Sequence, residues 1–490
     1  MQRFCVLTSL LVALSVVFSC QSSIPESFAG SSREAEIWPD YKDVTIPCNI
    51  APLNFDIKDT AMRYLTVVSG DKGPSFEIEG RKIRIGLGRG RKLLEDNKGG
   101  KIHFKILEKS SSEGSWEELP EITVNIAEET VDGFVAYRLI APTYGMAGGM
   151  SIIQRNLASF KEKEVFNNMM DYDRDGGQCV NCHSFQAYGT DRFQFHVRQK
   201  DGGTVILDNG KIRKTNLKRD GILSAGVYPS WHPTDNLIAY SVNSTYQNFF
   251  STGGHKTEVI DNGSDLILYD VATDSVTPIL NDSLQMETFP YWAPDGKTLF
   301  FCQASLEGIG KSSGGRITND YDKVHYNIMR IGFDPSSRKF SQPELVFDAA
   351  SLGCSATFPR LSPDGRHLLF TMGDFGNFHI WHKESDLYMM DYPGGSIRRL
   401  ENVNSSDTES YHSWSSDGRW IIFSSRREDG LYTRLYLAYF DKEGKAHKPF
   451  IIPRKDPSDY KDLYKSYNIP EFTRDPVRQG PKQFLKVVRK

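Results

Sequence analysis

The clearest pattern along the chain is a repeated alternation of apolar and polar residues interrupted by turns. Asp-Gly pairs at 295, 364 and 417 are typical of β-hairpins between alternating strands. Each belongs to a segment in which an aromatic residue is followed by Pro or His, a bulky apolar residue, a turn and an apolar strand. Four segments share this pattern: Tyr228–Tyr240, Phe289–Phe300, Phe358–Phe370 and Tyr411–Phe423. Because one short sheet cannot bury both of its faces, we expect these units to stack as the blades of a propeller.

Each unit continues into further strands, and two weaker units precede the four. His183-Ser-Phe185 aligns with His412-Ser-Trp414, which predicts the start of one upstream blade. The remaining predicted strands and hairpins lie at 134–141, 151–155, 163–166, 191–198, 203–217, 264–270 and 385–391. The first blade has no obvious inner strand. We expect a closing strand from Trp38–Ile46 or from Phe484–Val488.

The repeats from Tyr228 to Pro453 resemble those of the TolB-like β-propellers. The resemblance implies six blades, which we place at residues 131–453, followed by a C-terminal tail at 454–490. It also implies a protein-binding or assembly function, as TolB-like propellers generally have.

Residues 37–130 do not follow the repeat. Alternating stretches joined by Gly- and Ser-rich turns predict a separate β-sandwich domain of immunoglobulin-like type. The glycine-rich run Gly86–Lys92 lacks the spacing of a phosphate-binding loop, so we interpret it as an ordinary loop. The predicted fold class is therefore all-β, a sandwich followed by a six-bladed propeller.

Composition narrows the classes of function. The 490 residues carry a formal net charge of -3, so no basic surface indicates nucleic-acid binding. Aromatic residues make up 12% of the chain, which suits a large β architecture. The sequence contains no Gly-x-Ser-x-Gly, His-Glu-x-x-His or P-loop signature.

The motif Cys179-Val-Asn-Cys182-His183 is typical of covalent haem c attachment. The two thiols would add to the two vinyl groups of one haem, and His183 would be the proximal ligand of the iron. A redox-active cysteine pair, half of a zinc site and a chance match are the alternatives. The first lacks a βαβ context, and the second lacks another ligand pair at regular spacing.

The N-terminus predicts export. A positive start is followed by the apolar run Phe4–Phe18, which is too short to span a bilayer, so residues 1–19 are predicted to be a signal peptide. The sequence before Cys20 resembles the lipobox of bacterial lipoproteins. The resemblance implies a lipid on Cys20 and a tether at 20–36, and an ordinary signal peptide with an incidental cysteine is the alternative. Gln21 favours the outer membrane, with the protein facing the periplasm.

The second axial ligand of the iron has several candidates. Met146 and Met150 lie in a glycine-rich loop next to the haem blade, and methionine would raise the reduction potential. Histidines at 196, 232, 255, 379, 382 and 412 are further candidates, and each is also consistent with a structural role. Blade topology places insertions at 243–263, 303–323 and 373–384 on the face of the motif. We expect them to enclose the haem, unless they are unrelated surface loops.

A short acidic pattern precedes the haem motif. Asp171, Asp173 and Asp175, followed by Gly176, match the first half of an EF-hand calcium loop. Cys182 stands where the loop would need its final Glu, and no flanking helices are predicted. Calcium binding and a solvated acidic turn both remain open.

These observations predict a lipid-anchored envelope protein that carries one haem c. Electron transfer to or from a redox partner protein of the envelope is the first hypothesis. A binding or assembly module with structural haem or none is the second. A peroxidase-like haem enzyme with an open distal site is the third.

Overall fold

The computed structural model describes residues 24–25, 27–141, 149–171, 176–250 and 257–490. The chain is almost entirely β and forms many small sheets, which confirms the predicted class. Only two α-helices occur in the described residues, α1 (Leu87–Asp96) and α2 (Pro481–Val488).

The N-terminal part contains two sheets. Their strands are β1 (Ala29–Gly30), β2 (Ile37–Trp38), β3 (Thr45–Ile46), β4 (Phe55–Ile57), β5 (Arg63–Gly70), β6 (Phe76–Glu79), β7 (Lys82–Ile83), β8 (Lys101–Lys109), β9 (Glu117–Glu118) and β10 (Ile122–Ile126). One sheet has the order β1-β9-β8-β10-β3 with β5 and β6 beside it, and the other has the order β2-β4-β7. Phe55 and Phe104 join the two sheets in one core, with ring centroids 5.2 Å apart.

Helix α1 corrects the interpretation of Gly86–Lys92 as a loop. Leu93 and Leu94 are buried, and they anchor the helix on the N-terminal sheets. Position 90 of the helix requires glycine, because a Cβ there would come within 2.3 Å of Pro52 Cγ. Glycine lowers the intrinsic helix propensity of this run, so the local sequence predicts a loop where packing makes a helix.

Six sheets of four or five strands follow. The strands of the first three are β11 (Phe134–Ile140), β12 (Ser151–Asn156), β13 (Glu162–Asn167), β14 (Gln178–Phe185), β15 (Arg192–Gln199), β16 (Gly203–Asp208), β17 (Lys211–Thr215), β18 (Gly226–Trp231), β19 (Leu237–Phe249), β20 (Thr257–Asp270) and β21 (Ser275–Leu280). The first sheet also contains β35, described below.

The strands of the last three sheets are β22 (Gln285–Trp292), β23 (Thr298–Ser305), β24 (Asn327–Asp334), β25 (Lys339–Phe340), β26 (Glu344–Phe347), β27 (Ser355–Leu361), β28 (His367–Gly373), β29 (Asp386–Asp391), β30 (Ile397–Arg399), β31 (Glu409–Trp414), β32 (Trp420–Ser425), β33 (Arg434–Tyr439) and β34 (Phe450–Ile451). Within each sheet neighbouring strands are antiparallel. The predicted Asp-Gly turns join the first two strands of these three sheets, and Gly296, Gly365 and Gly418 have positive φ there.

The closing strand is β35 (Ser466–Thr473), which pairs with β11 as the inner strand of the first sheet. The predicted closing strands are wrong, because Phe484–Val488 lies in α2 and Trp38–Ile46 belongs to the N-terminal sheets. The predicted C-terminal tail therefore contains an inner strand. The inner strands contact one another in a closed circle, in the order β35, β14, β18, β22, β27, β31 and back to β35.

The N-terminal sheets pack against the sixth of these sheets. Trp420 is fully buried, and its indole N–H donates a hydrogen bond of 3.1 Å to the Thr130 carbonyl. Asp132 accepts hydrogen bonds from the backbone and the hydroxyl of Ser416, both of 2.7 Å. The two parts share one hydrophobic core.

Candidate functional site

One residue in each of the six inner strands has a left-handed backbone. These residues are Cys182, Tyr228, Phe289, Phe358, Tyr411 and Ile469, with φ between 48° and 54°. Each lies at a register shift between its strand and the next, so each marks a β-bulge. Neighbouring aromatic members are in contact, with ring centroids 4.0 Å apart for Phe289 and Phe358. We call these six residues the axial ring.

The axial ring separates two cavities. Four of its members line the first cavity, of about 660 Å³, and all six line the second, of about 380 Å³. Both volumes lie in the range of about 300–1,000 Å³ that is usual for small-molecule and cofactor sites. Cys182 belongs to the motif, to the ring and to the walls of both cavities.

The first cavity brings the cysteine motif together with two of the predicted insertions. Cys179, Asn181 and Cys182 line one part of its wall. The insertion at 243–263 lines another part of the wall with residues of β19 and β20 around Thr245. The insertion at 373–384 lines it with residues around Trp381. The insertion predicted at 243–263 is in part a regular hairpin, because β19 and β20 remain paired out to residues 249 and 257. The insertion at 303–323 does not line the cavity. It contacts the insertion at 243–263 instead, since Tyr246 donates its hydroxyl hydrogen to the Ile317 carbonyl.

The thiols of the motif are free and lie at the cavity wall. Cys182 is buried and Cys179 is half-buried. The Asn181 amide nitrogen lies 2.7 Å from the Cys179 sulphur, and the Met150 sulphur lies 3.5 Å from it. Met150 is therefore placed beside the motif, whereas Met146 lies outside the described residues.

His183 is buried, with only 2% of its surface exposed. Neither ring nitrogen has a hydrogen-bond partner of good geometry among the described residues. Burial, with a smaller contribution from the Arg138 charge, lowers the pKa of His183 to about 3, although backbone groups of Ile469 and Ala136 act against this. The imidazole is neutral at physiological pH, the state that ligates metals. His183 lines the second cavity and not the first.

The second cavity is lined by prolines, by the axial ring and by two charged side chains, Arg360 and Glu471. Glu471 accepts a 2.9 Å hydrogen bond from the Phe185 backbone N–H. Burial raises the pKa of Glu471 to about 8, and this hydrogen bond and the charge of Arg360 only partly offset it. Arg360 lies over the ring of Tyr291, 4.8 Å from its centroid.

The other predicted histidine ligands have structural partners. His412 lines the second cavity, and its ring contacts the Leu369 carbonyl at 3.2 Å. His196 lines the first cavity, where its Nδ1 lies 3.1 Å from the Thr204 hydroxyl. His232 contacts the Gly296 carbonyl and His379 contacts Thr357, each at 2.8 Å. His255 lies outside the described residues.

Sequence reasoning missed a buried ionic cluster on the insertions. His382 lies between Glu258 and Glu384, at 2.8 Å and 3.0 Å. Burial opposes the charge on His382, but the hydrogen bonds to Glu258 and Glu384 outweigh it and raise its pKa to about 9. No sequence signal could have paired Glu258 with His382, because 124 residues separate them.

Asp171 forms an ion pair with Arg489, with 2.7 Å between the carboxylate oxygen and Nε. Asp173 and Asp175 lie outside the described residues, so calcium binding stays a prediction. Cys20 also lies outside them. In the described ranges, no three His, Cys, Asp or Glu side chains are arranged to hold a metal ion by themselves.

The residues of the motif fit a covalently bound haem in their chemistry. Both thiols reach one cavity of sufficient volume, and the neighbouring imidazole is neutral and lacks the hydrogen bonds that buried polar groups normally make. One feature differs from the expected arrangement. The imidazole borders the second cavity, which Cys182 also lines, whereas Cys179 lines only the first.

No protein-family model matches the chain, and no curated protein sequence matches it. Among solved structures, the chain is similar to TolB from Acinetobacter baumannii, at 14% identity over 76% of this chain and 79% of that chain, with a TM-score of 0.43. It is also similar to oligogalacturonate lyase from Vibrio parahaemolyticus, at 13% identity over 70% of this chain and 85% of that chain, with a TM-score of 0.34. Similarity at this level says nothing about the activity of the chain. In the described segments, no helix is both long and apolar enough to cross a membrane.

Proposed function

We propose that the six sheets are the blades of a six-bladed β-propeller, preceded by a β-sandwich domain of immunoglobulin-like type. The closed circle of inner strands and the bulge repeated in each of them support this arrangement. β35 would close the circle by completing the first blade with a strand from the far end of the chain.

We propose that this propeller carries one haem c and transfers electrons in the bacterial envelope. The observation that carries the proposal is that Cys179 and Cys182 line the same 660 Å³ cavity and are followed in the chain by the buried His183, whose ring nitrogens have no partner of good geometry among the described residues. Cys179 and Cys182 would hold the haem through thioether bonds, and His183 would ligate its iron. When bound, the haem supplies reversible one-electron chemistry.

The chain's own residues would set the surroundings of the haem. Met150 lies beside the motif and would be a further candidate ligand of the haem, and Ile140, Val227 and Val259 make part of the wall apolar. An apolar wall limits the access of water and shifts the reduction potential. The redox partner would be another envelope protein, and a lipid on Cys20 would hold the chain at the outer membrane on its periplasmic side.

Haem staining tests this function. The chain is exported in a bacterium with a haem c attachment system, and denaturing gels are stained for haem peroxidase activity. We expect a stained band at the mature mass in the wild type and none in the Cys179→Ser/Cys182→Ser variant. The matched control is Cys302→Ser, which changes a buried cysteine away from both cavities and should keep the stain. An unstained wild type would refute the proposal.

The position of His183 favours a second candidate, a protein-binding module without functional haem. Its imidazole lies with Arg360 and Glu471 in the second cavity, where prolines and aromatic rings could receive part of a partner protein. The two candidates differ in the result of Arg360→Ala. This variant would impair partner capture in the second case and would leave haem content unchanged in the first.

A further inference from the structure

Four arginine side chains are more than nine-tenths buried, and three of them have strong acceptors. Arg426 donates to the Asp407 carboxylate at 3.0 Å. Arg155 donates to the Pro453 carbonyl and forms an ion pair with Glu162, with 3.7 Å between nitrogen and oxygen. Arg434 donates to four backbone carbonyls, those of Thr433, Tyr460, Leu463 and Lys465. Burying a charge is strongly unfavourable unless it is paired or hydrogen-bonded in this way.

Arg138 is the exception. It is 7% exposed, and its one hydrogen-bond acceptor among the described residues is the side-chain oxygen of Asn181. Its Nε is buried without a partner. No carboxylate in the described part of the chain lies within ion-pair distance of it. Among the described residues, the fold thus buries a guanidinium that has one side-chain acceptor, no carboxylate partner and an unpaired Nε.

Arg138 lines the first cavity, beside the cysteine motif. Its partner Asn181 is one of the two residues between the cysteines and also contacts the Cys179 sulphur. The adjoining wall, which includes Ile140, Val227 and Val259, is apolar. An occupant that matches this wall has an apolar body and an anionic group that reaches Arg138.

We propose that Arg138 binds a carboxylate of the molecule that occupies the first cavity. This inference rests on the proposed function, in which that molecule is haem and the carboxylate is one of its propionates. A guanidinium recognises a carboxylate through two parallel hydrogen bonds, so the carboxylate would supply the acceptors that the protein lacks. Asn181 would hold the guanidinium in place through its side-chain oxygen.

The test uses metal-free protoporphyrin IX, which carries both carboxylates but no iron, and its dimethyl ester, which carries neither charge. The full mature chain is produced without haem attachment, and binding is measured by the quenching of protein fluorescence. We expect the wild type to bind the acid tenfold to about a hundredfold more tightly than the ester, because a hydrogen bond to a charged group has about this effect. Arg138→Gln should reduce this ratio to near one, and Arg138→Lys should leave an intermediate ratio. The matched control, Arg434→Gln, removes a buried arginine that lines neither cavity and donates to backbone carbonyls, and it should leave the ratio nearly unchanged.

The comparison of acid with ester in the wild type needs no variant, so it remains informative if Arg138→Gln does not fold. Equal affinity of the wild type for acid and ester would overturn the inference, and so would an unchanged ratio in Arg138→Gln. Haem staining of the exported wild type is scored separately. A stained band with no preference for the acid refutes the role of Arg138 and leaves the proposed function intact. A preference for the acid without covalent haem refutes the function and assigns the cavity to another apolar carboxylate.

Discussion

Replacing His183 by leucine tests whether its imidazole serves a ligand or the fold. In the protein without haem, both ring nitrogens are buried and have no partner of good geometry among the described residues. Removing such a group and keeping an apolar side chain of similar size should not destabilise the fold. We expect His183→Leu to raise the free energy of unfolding at pH 7 by about 1–2 kcal/mol, the cost of burying an unsatisfied polar group. The matched variant His412→Leu loses contacts to Thr371 and Leu369 and should lower that free energy by about 1–3 kcal/mol.

The same variant has a pH dependence with a defined sign. Because the pKa of His183 falls from 6.5 in the unfolded chain to about 3 in the fold, the unfolded state binds the extra proton between these values. The contribution of His183 to the free energy of unfolding therefore decreases as the pH falls below 6.5. At pH 5 the loss is about 2 kcal/mol, from about 1.5 pH units at about 1.4 kcal/mol each. The advantage of His183→Leu over the wild type should grow by this amount between pH 7 and pH 5.

Urea unfolding of the haem-free proteins, followed by tryptophan fluorescence at both pH values, measures these differences. Buried carboxyl groups with a raised pKa, such as Glu471, change stability in the opposite sense, but they are common to both proteins and cancel in the comparison. If His183→Leu destabilises the fold as much as His412→Leu does, the imidazole has a structural role. A pH-independent difference would refute the lowered pKa.

Three further predictions concern other parts of the chain. The ferrous wild type should show a low-spin spectrum that carbon monoxide does not shift, and Met150→Ala should bind carbon monoxide; rapid binding by the wild type would instead favour a peroxidase-like site. Cys20→Ser should move the protein from the membrane fraction to the soluble fraction or leave it unprocessed, and unchanged fractionation would contradict lipidation. Gly90→Ala should lower the free energy of unfolding by about 1–3 kcal/mol because its Cβ would overlap Pro52; the matched variant Gly88→Ala has no atom within 4 Å of its Cβ and should be neutral or stabilising in urea titrations.

The sequence determined those features whose information lies within a few consecutive residues. The period-2 alternation and the Asp-Gly turns predict the hairpins at 295, 364 and 417, because a hairpin pairs residues that are close in sequence. The prediction of haem attachment at Cys179–His183 is equally local, since it rests on the spacing of the motif alone. The alignment of His183 with His412 also predicted that a repeat unit begins at the motif, and in the structure the motif lies within the inner strand β14.

Tertiary structure decided what depends on contacts between distant residues. β35 completes the first sheet by pairing Thr473 with Phe134, and Ile469-Pro-Glu-Phe472 lacks the following turn that identifies the other repeats. Helix α1 forms against local propensity because its leucines reach the hydrophobic core of the N-terminal sheets. The unpaired charge of Arg138 is likewise invisible in the sequence, because only the assembled fold shows which acceptors reach a buried guanidinium and which do not.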